Sequence, residues 1–134
     1  MRVNGSCHCG AVQYEAELDP ARVGICHCTD CQQFSSSAFR TSALVGPEAF
    51  RLLSGSPTLY EKISENGSRR SLAFCGQCGT HLYGTTPGAA ASFYSVRVGT
   101  LAQRAALAPR LQVWCRSELP WLTNLADVRR IPEQ

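Results

Sequence analysis

Seven of the eight cysteines in this 134-residue chain fall into three clusters. Cys7 and Cys9 form a Cys-x-Cys pair. Cys26, Cys28 and Cys31 crowd into the run "CHCTDC". Cys75 and Cys78 bracket the turn "CGQC", and Cys115 stands apart. Thiols spaced this closely are soft ligands for a single ion. Zn²⁺ favours tetrahedral sulfur, and structural zinc sites close with four ligands. The two pairs, Cys7/Cys9 and Cys75/Cys78, supply four. They lie far apart in sequence, so an ion between them would fasten the N-terminal strand to a later hairpin and turn binding energy into folding energy. Gly76 and Gly79 are expected to let backbone N–H groups point at the sulfurs of this knuckle.

Cys26, Cys28 and Cys31 are then left for a second zinc with one coordination position open, the mark of a catalytic or substrate-binding site. Three thiolates around Zn²⁺ carry a net charge of −1 and suit a soft incoming ligand, above all a thiol, whose pKa falls on coordination. Two other readings stay open. The trio could close with His27, His8 or His81 as fourth ligand, although His27 points away from the neighbouring sulfurs if the loop is extended. It could also be metal-free, with Cys28 and Cys31 as a redox Cys-x-x-Cys pair. His8 and His81 are otherwise expected to be hydrogen-bonded structural residues.

The elements that must position these sulfurs are mostly strands. Val12 to Leu18 alternates, with Val12, Tyr14, Ala16 and Leu18 on one face and Gln13, Glu15 and Glu17 on the other. Asp19-Pro20 turns it, and Val23 to Cys26 leads into the "CHCTDC" loop. Further strands are expected over Ala38 to Val45, Phe50 to Leu53, Leu59 to Ile63, Ser71 to Phe74, Leu82-Tyr83, Ser92 to Val98 and Leu111 to Cys115. Asn66-Gly67 is a hairpin signal. Tyr14, Tyr83 and Phe74 read as core or half-buried strand residues. Leu111, Val113 and Cys115 fall on one strand face, which predicts a buried Cys115 behaving as a small hydrophobe. Helical signals are confined to alanine-rich Thr100 to Ala108 and to Trp121, Leu122, Leu125 and Val128. Many short strands with frequent turns imply an all-β domain spanning residues 1–134.

With 44% hydrophobic residues the chain can bury a core without disulfides. No apolar run approaches the ~20 residues of a membrane span, and the start "MRVNGSCHCG" lacks the apolar stretch of a secretory signal. These features predict a cytoplasmic protein with reduced thiols, where clustered cysteines serve metal or redox chemistry. The formal charge of +3 counts thiols as neutral; seven thiolates around two Zn²⁺ would bring it near zero. The arginines are dispersed, with Arg69-Arg70 and Arg129-Arg130 the only adjacent pairs, so no nucleic-acid partner is expected.

Four stretches, "GSCHCGAVQYE", "CHCTDCQQFSSSAF", "FCGQCGTHLYG" and "SVRVGTL", resemble in order and spacing the glutathione-dependent formaldehyde-activating enzyme family, which shares its domain with centromere protein V. The tail "PRLQVWCRSELPW" is similar to the family's closing strand and its tryptophan, here Trp121. The resemblance spans roughly Val3 to Ile131. It implies an Mss4-like zinc-binding β fold, a structural zinc on Cys7, Cys9, Cys75 and Cys78, and a catalytic zinc on Cys26, Cys28 and Cys31. It further implies condensation of glutathione with formaldehyde to S-hydroxymethylglutathione, a carbon–sulfur lyase reaction in reverse. Arginines near the pocket, with Arg40 and Arg97 as candidates, could pair with glutathione's carboxylates, although a plain surface role is the simpler expectation for either. The chain departs from the family pattern at Gln32, where a basic residue is usual, at Ser36, usually glycine, at Gln112, commonly histidine, and at Ala102, often acidic. None is a cysteine, and the loop after Cys31 is expected to shape the pocket. Two other functions fit the same clusters: a non-catalytic zinc module that binds a partner, and a thiol–disulfide or methionine-sulfoxide reductase using the trio without metal.

Overall fold

A computed structural model describes residues 1–133. Its chain alternates short strands with tight turns, as the apolar/polar alternation predicts. The strands are β1 (Arg2–Ser6), β2 (Gln13–Glu17), β3 (Val23–Cys26), β4 (Arg40–Val45), β5 (Phe50–Ser54), β6 (Thr58–Ile63), β7 (Arg69–Phe74), β8 (His81–Thr85), β9 (Tyr94–Arg97) and β10 (Leu111–Val113). They form a three-stranded sheet, β1-β2-β5, and a seven-stranded sheet, β10-β3-β4-β9-β8-β7-β6. Every pairing is antiparallel except β10 with β3. The mainly-β expectation holds.

The two sheets meet through one core. Val12, Tyr14, Ala16 and Leu18 are all buried, as the alternation requires. Tyr14 and Phe50 from the small sheet pack against Tyr83 and Tyr94 from the large one. Phe50 stacks on Tyr94 at 4.0 Å, and Tyr14 meets Tyr83 edge-on at 6.3 Å. Such aromatic pairs contribute about 0.5–1.5 kcal/mol each beyond the area they bury. The Tyr14 hydroxyl keeps a partner in Thr100 Oγ1 at 2.7 Å, and burial pushes its phenol up to about 12.

Strand β1 had no sequence signal because glycine hides its alternation. Val3, Gly5 and Cys7 all point inward. The Tyr14 ring lies over Gly5, where a Cβ would stand 2.1 Å from Tyr14 Cζ.

Strand register sorts the large sheet into two faces, because directly paired residues share a side. Val23, Ala43, Val96, Tyr83 and Ala73 form one row across five strands and face the core. The opposite face carries Cys26 paired with Arg40, then Gly24, Ser42 and Arg97 in a row, then Leu44, Ser95 and Gly84. That second face is the floor of a cleft.

Three expected elements differ. The region Thr100 to Ala108 holds no α-helix but a 3₁₀ turn at Arg104–Ala106. Pro120–Asp127 is 3₁₀ rather than α, interrupted at Asn124, and its apolar residues Trp121 and Leu125 are exposed. Cys115 is exposed, not buried. Trp114 adopts a left-handed backbone (φ 58°) that ends β10 and breaks the alternation, while Leu111 and Val113 face the cleft rather than the core.

Candidate metal centre and cleft

The four paired cysteines converge at the turns joining β1 to β2 and β7 to β8. Cys7, Cys9, Cys75 and Cys78 place their sulfurs within 4.8 Å of one another, so the cluster ties the small sheet to the large one. Gly10 and Gly79 both have positive φ (80° and 73°), the backbone each turn needs. The Gly79 N–H donates to the Cys75 carbonyl at 2.8 Å rather than to a sulfur. A backbone N–H that does reach a sulfur here is that of Val12, 3.2 Å from Cys7 Sγ. The Thr80 hydroxyl, 3.2 Å from Cys78 Sγ, and the Thr80 N–H hold the Cys78 thiol down to about 5. The Ala11 N–H works to lower Cys9, but the sulfur contacts with Cys7, Cys78 and Cys75 and burial together outweigh it and push the thiol up to about 11. Four sulfurs this close cannot all lose their protons without a cation between them, and a soft divalent ion fits the set.

The trio is built differently. Cys26 ends β3. Cys28 caps α1 (Thr29–Ser35), its sulfur accepting the Cys31 N–H at 3.2 Å. Cys31 sits in the first helical turn and is buried. Where the sequence suggested a loop, a seven-residue helix stands, hidden in the polar run "TDCQQFS". One face of the helix thus presents Cys31 beside Cys28, and all three sulfurs lie within 4.8 Å of one another. The hydrogen bond between Cys26 and Cys31 lowers the first thiol and raises the second, and burial raises Cys28. One thiolate therefore shares the protons of its neighbours, and a divalent cation is the partner that would let all three ionise. Arg40 Nη2 adds a donor 2.8 Å from Cys31 Sγ.

No histidine joins either sulfur group among the described residues. His27 is turned away from the sulfurs and is 1% exposed, with Nε2 2.7 Å from Gln112 Oε1. Its backbone N–H donates to the Val113 carbonyl, and Gln32 Nε2 donates to the His27 and Ser117 carbonyls, both at 2.9 Å. His81 packs between Phe34 and Phe74 and is held below the ordinary histidine value by burial; the His8 side chain is exposed. Gln32 and Gln112 therefore brace the back of the cysteine loop, and neither lines the cleft. Ser36 has the left-handed φ of 49° that ends α1, the conformation glycine tolerates best. Ala102 lies against β1, its backbone N–H donating to the Asn4 carbonyl at 2.9 Å. The expectation that the stretch after Cys31 shapes the pocket through these positions is thus corrected: all four departures lie outside it.

The cleft holds about 700 Å³ and opens on the trio, within the range of small-molecule sites. Leu44, Leu111, Val113 and Trp114 supply apolar wall, and five cations (Arg22, Arg40, Lys62, Arg70, Arg97) face only two carboxylates, Asp30 and Glu65. Lys62 pairs with Asp30, and Glu65 with Arg116 outside the cleft.

Arg97 was expected at the surface. It is 6% exposed. Nη1 donates to Ser42 Oγ at 3.1 Å and Ser95 Oγ at 3.2 Å, while Nε is buried without a partner. Burial, then the like charge of Arg40, pushes its guanidinium down to about 9. Hydrogen bonds to a charged group contribute about 1.5–3 kcal/mol each, against a penalty of several kcal/mol for a buried ion lacking a counter-charge. Two serine hydroxyls offset only part of that. Arg40 shares the pattern, with Nη1 buried and unpartnered. Sequence reasoning missed the burial of Arg97; the signal was its place between Val96 and Val98, at the end of a strand that lies between β4 and β8.

The sequence model described as "Glutathione-dependent formaldehyde-activating enzyme" matches residues 2–117. A crystal structure of a Rhodobacter sphaeroides protein is similar at a TM-score of 0.64 and 25% sequence identity, covering 82% of this chain and 99% of that one. Among curated proteins there is no match. No described helix is long and apolar enough to cross a membrane.

Proposed function

The chain belongs to the glutathione-dependent formaldehyde-activating enzyme family, and from that premise we propose that it joins a small thiol, glutathione by family, to formaldehyde or another small aldehyde. In the reverse direction this is a carbon–sulfur lyase. The observation that carries the reading is a three-sulfur set opening on a cationic cleft while a separate four-sulfur set is complete without it.

Cys7, Cys9, Cys75 and Cys78 would hold a structural zinc, and Cys26, Cys28 and Cys31 a catalytic one. Bound by three thiolates, zinc supplies the Lewis acidity that makes a neighbouring thiol ionise at neutral pH. The chain's own groups then do the rest. Arg40, at 2.8 Å from Cys31, offsets the excess negative charge of the trio. The apolar wall excludes water from the reacting pair. Arg40 supplies positive potential for the anionic thiol and for the oxygen that gains charge. In the addition, sulfur bonds to the carbonyl carbon, the C=O π pair moves to oxygen, and the thiol's proton ends on that oxygen. Holding the two reactants in one cleft supplies acceleration through proximity. Reduced, closely spaced thiols suit a cytoplasmic setting.

The test is NMR exchange between glutathione, formaldehyde and their adduct, with and without the protein. Exchange faster than the uncatalysed background, and return to background in Cys28→Ser, is the expected result. Equal rates with and without protein would remove the enzyme reading and leave a zinc-stapled binding module.

A further inference from the structure

The cleft contains a cation that the chain itself does not neutralise. Arg97 lies on the cleft face of β9, opposite Ser42 of β4, and no carboxylate among the described residues pairs with it. Its Nη1 is occupied by Ser42 and Ser95, which fixes the plane of the guanidinium. Its Nη2 reaches over Gly84, where a Cβ would stand 2.9 Å away. Glycine at that position keeps the floor open so that the guanidinium can lie across β8. A positioned, buried arginine that faces a cleft with no carboxylate of the described chain to neutralise it is a receptor for an anion, and the planar guanidinium suits a carboxylate.

Arg40 also has an unpartnered Nη1, but its Nη2 is 2.8 Å from Cys31 Sγ, which ties its charge to the sulfurs. The two arginines also stand at different depths. Arg40 pairs across the strands with Cys26, whereas Arg97 pairs with Ser42, two residues further along β4. At about 3.3 Å per residue, that is roughly 7 Å from the sulfur end of the cleft.

We propose that Arg97, held by Ser42 and Ser95 over Gly84, is a carboxylate-recognition residue that selects thiols, or their aldehyde adducts, whose carboxylate lies a few bonds from the sulfur. The inference rests on the proposed thiol chemistry of the trio and adds the substrate class that the same cleft prefers. Neutral thiols of the same size leave the Arg97 charge uncompensated and bind more weakly.

The test compares 3-mercaptopropionate with its methyl ester, two thiols that differ in the one charge, by calorimetric titration of the zinc-loaded protein. Wild type should prefer the carboxylate by about 10- to 100-fold, the value of one charge-assisted contact. Arg97→Met should abolish the preference while melting no lower than wild type and keeping its zinc, since it removes an uncompensated buried charge. Gly84→Ala, which moves the guanidinium and keeps its charge, should narrow the preference without altering the cysteines, and it carries the comparison if Arg97→Met does not fold. Equal affinity of wild type for the two probes, or an unchanged preference in both variants, overturns the proposal. Equal affinity alongside accelerated aldehyde exchange would remove the anion subsite alone. Failure to bind either thiol, with no accelerated exchange, would remove the thiol chemistry as well.

Discussion

The two sulfur clusters use the same ligand type for opposite ends. The set of four sits where two turns from different sheets meet, and its ligands come from positions 66 or more residues apart across the pair of turns, as the Cys9–Cys75 contact shows. The set of three comes from one strand end and one helical turn, and it opens on a cleft with a cationic floor. Sulfurs gathered from distant parts of the chain join elements. Sulfurs gathered from one segment need no distant chain to complete them, so that segment can keep a side free for a guest. Loss of a ligand should therefore damage folding at the first cluster and chemistry at the second.

The largest effect is expected from Cys75→Ser. Removing a buried ligand from the four-sulfur set should release one metal and lower stability by several kcal/mol, a part of the ~10–16 kcal/mol typical of structural zinc in small domains. Thermal unfolding with and without chelator measures it; a variant that melts like wild type would show that the two sheets hold together without the ion.

Gln112→Leu tests the brace behind the trio. It leaves the buried His27 Nε2 without its partner and should destabilise by about 1–3 kcal/mol, read by denaturant unfolding. An unchanged midpoint would mean that the contact contributes nothing. Ser36→Gly should stabilise by about 1 kcal/mol, because the left-handed residue that ends α1 would no longer carry a Cβ. A lower midpoint in the variant would contradict that account of the helix end.

The smallest effect concerns pH. Burial lowers His81 in the folded chain, with the charges of Arg97 and Arg40 acting the same way. The unfolded chain then binds more protons between the folded value and the ordinary one near 6.5. The His81 contribution to stability is full above about 6.5 and is lost as pH falls through the folded value. NMR titration of the His81 ring should give a midpoint below the ordinary histidine value near 6.5; a higher midpoint would contradict the packing between Phe34 and Phe74.

Much of this was legible in the residues. The sulfur clusters were readable because ligand spacing is local within each. The alternation of Val12, Tyr14, Ala16 and Leu18 fixed β2 because one face is buried and the other wet. What was hidden depended on partners distant in sequence. Gly5 conceals β1, since its role is to make room for Tyr14. The helix after Cys28 carries few apolar residues to set a period. Leu111 and Val113 alternate correctly, yet they face a cleft instead of the core, and the period of two cannot distinguish these faces. Trp114 then ends the strand, which exposes Cys115. Arg97 looked like a surface cation because charge alone does not show that its strand lies in the middle of a sheet, between β4 and β8.

The division of seven sulfurs into four that close and three that stay open is tested most directly by metal content in wild type and Cys28→Ser, each purified without chelator. Serine can still cap α1, so the substitution isolates coordination from helix formation. The account predicts two zinc ions per chain in wild type and one in the variant, with the β-sheet spectrum unchanged. One zinc in wild type with a disulfide among Cys26, Cys28 and Cys31, or two retained in the variant, would contradict it.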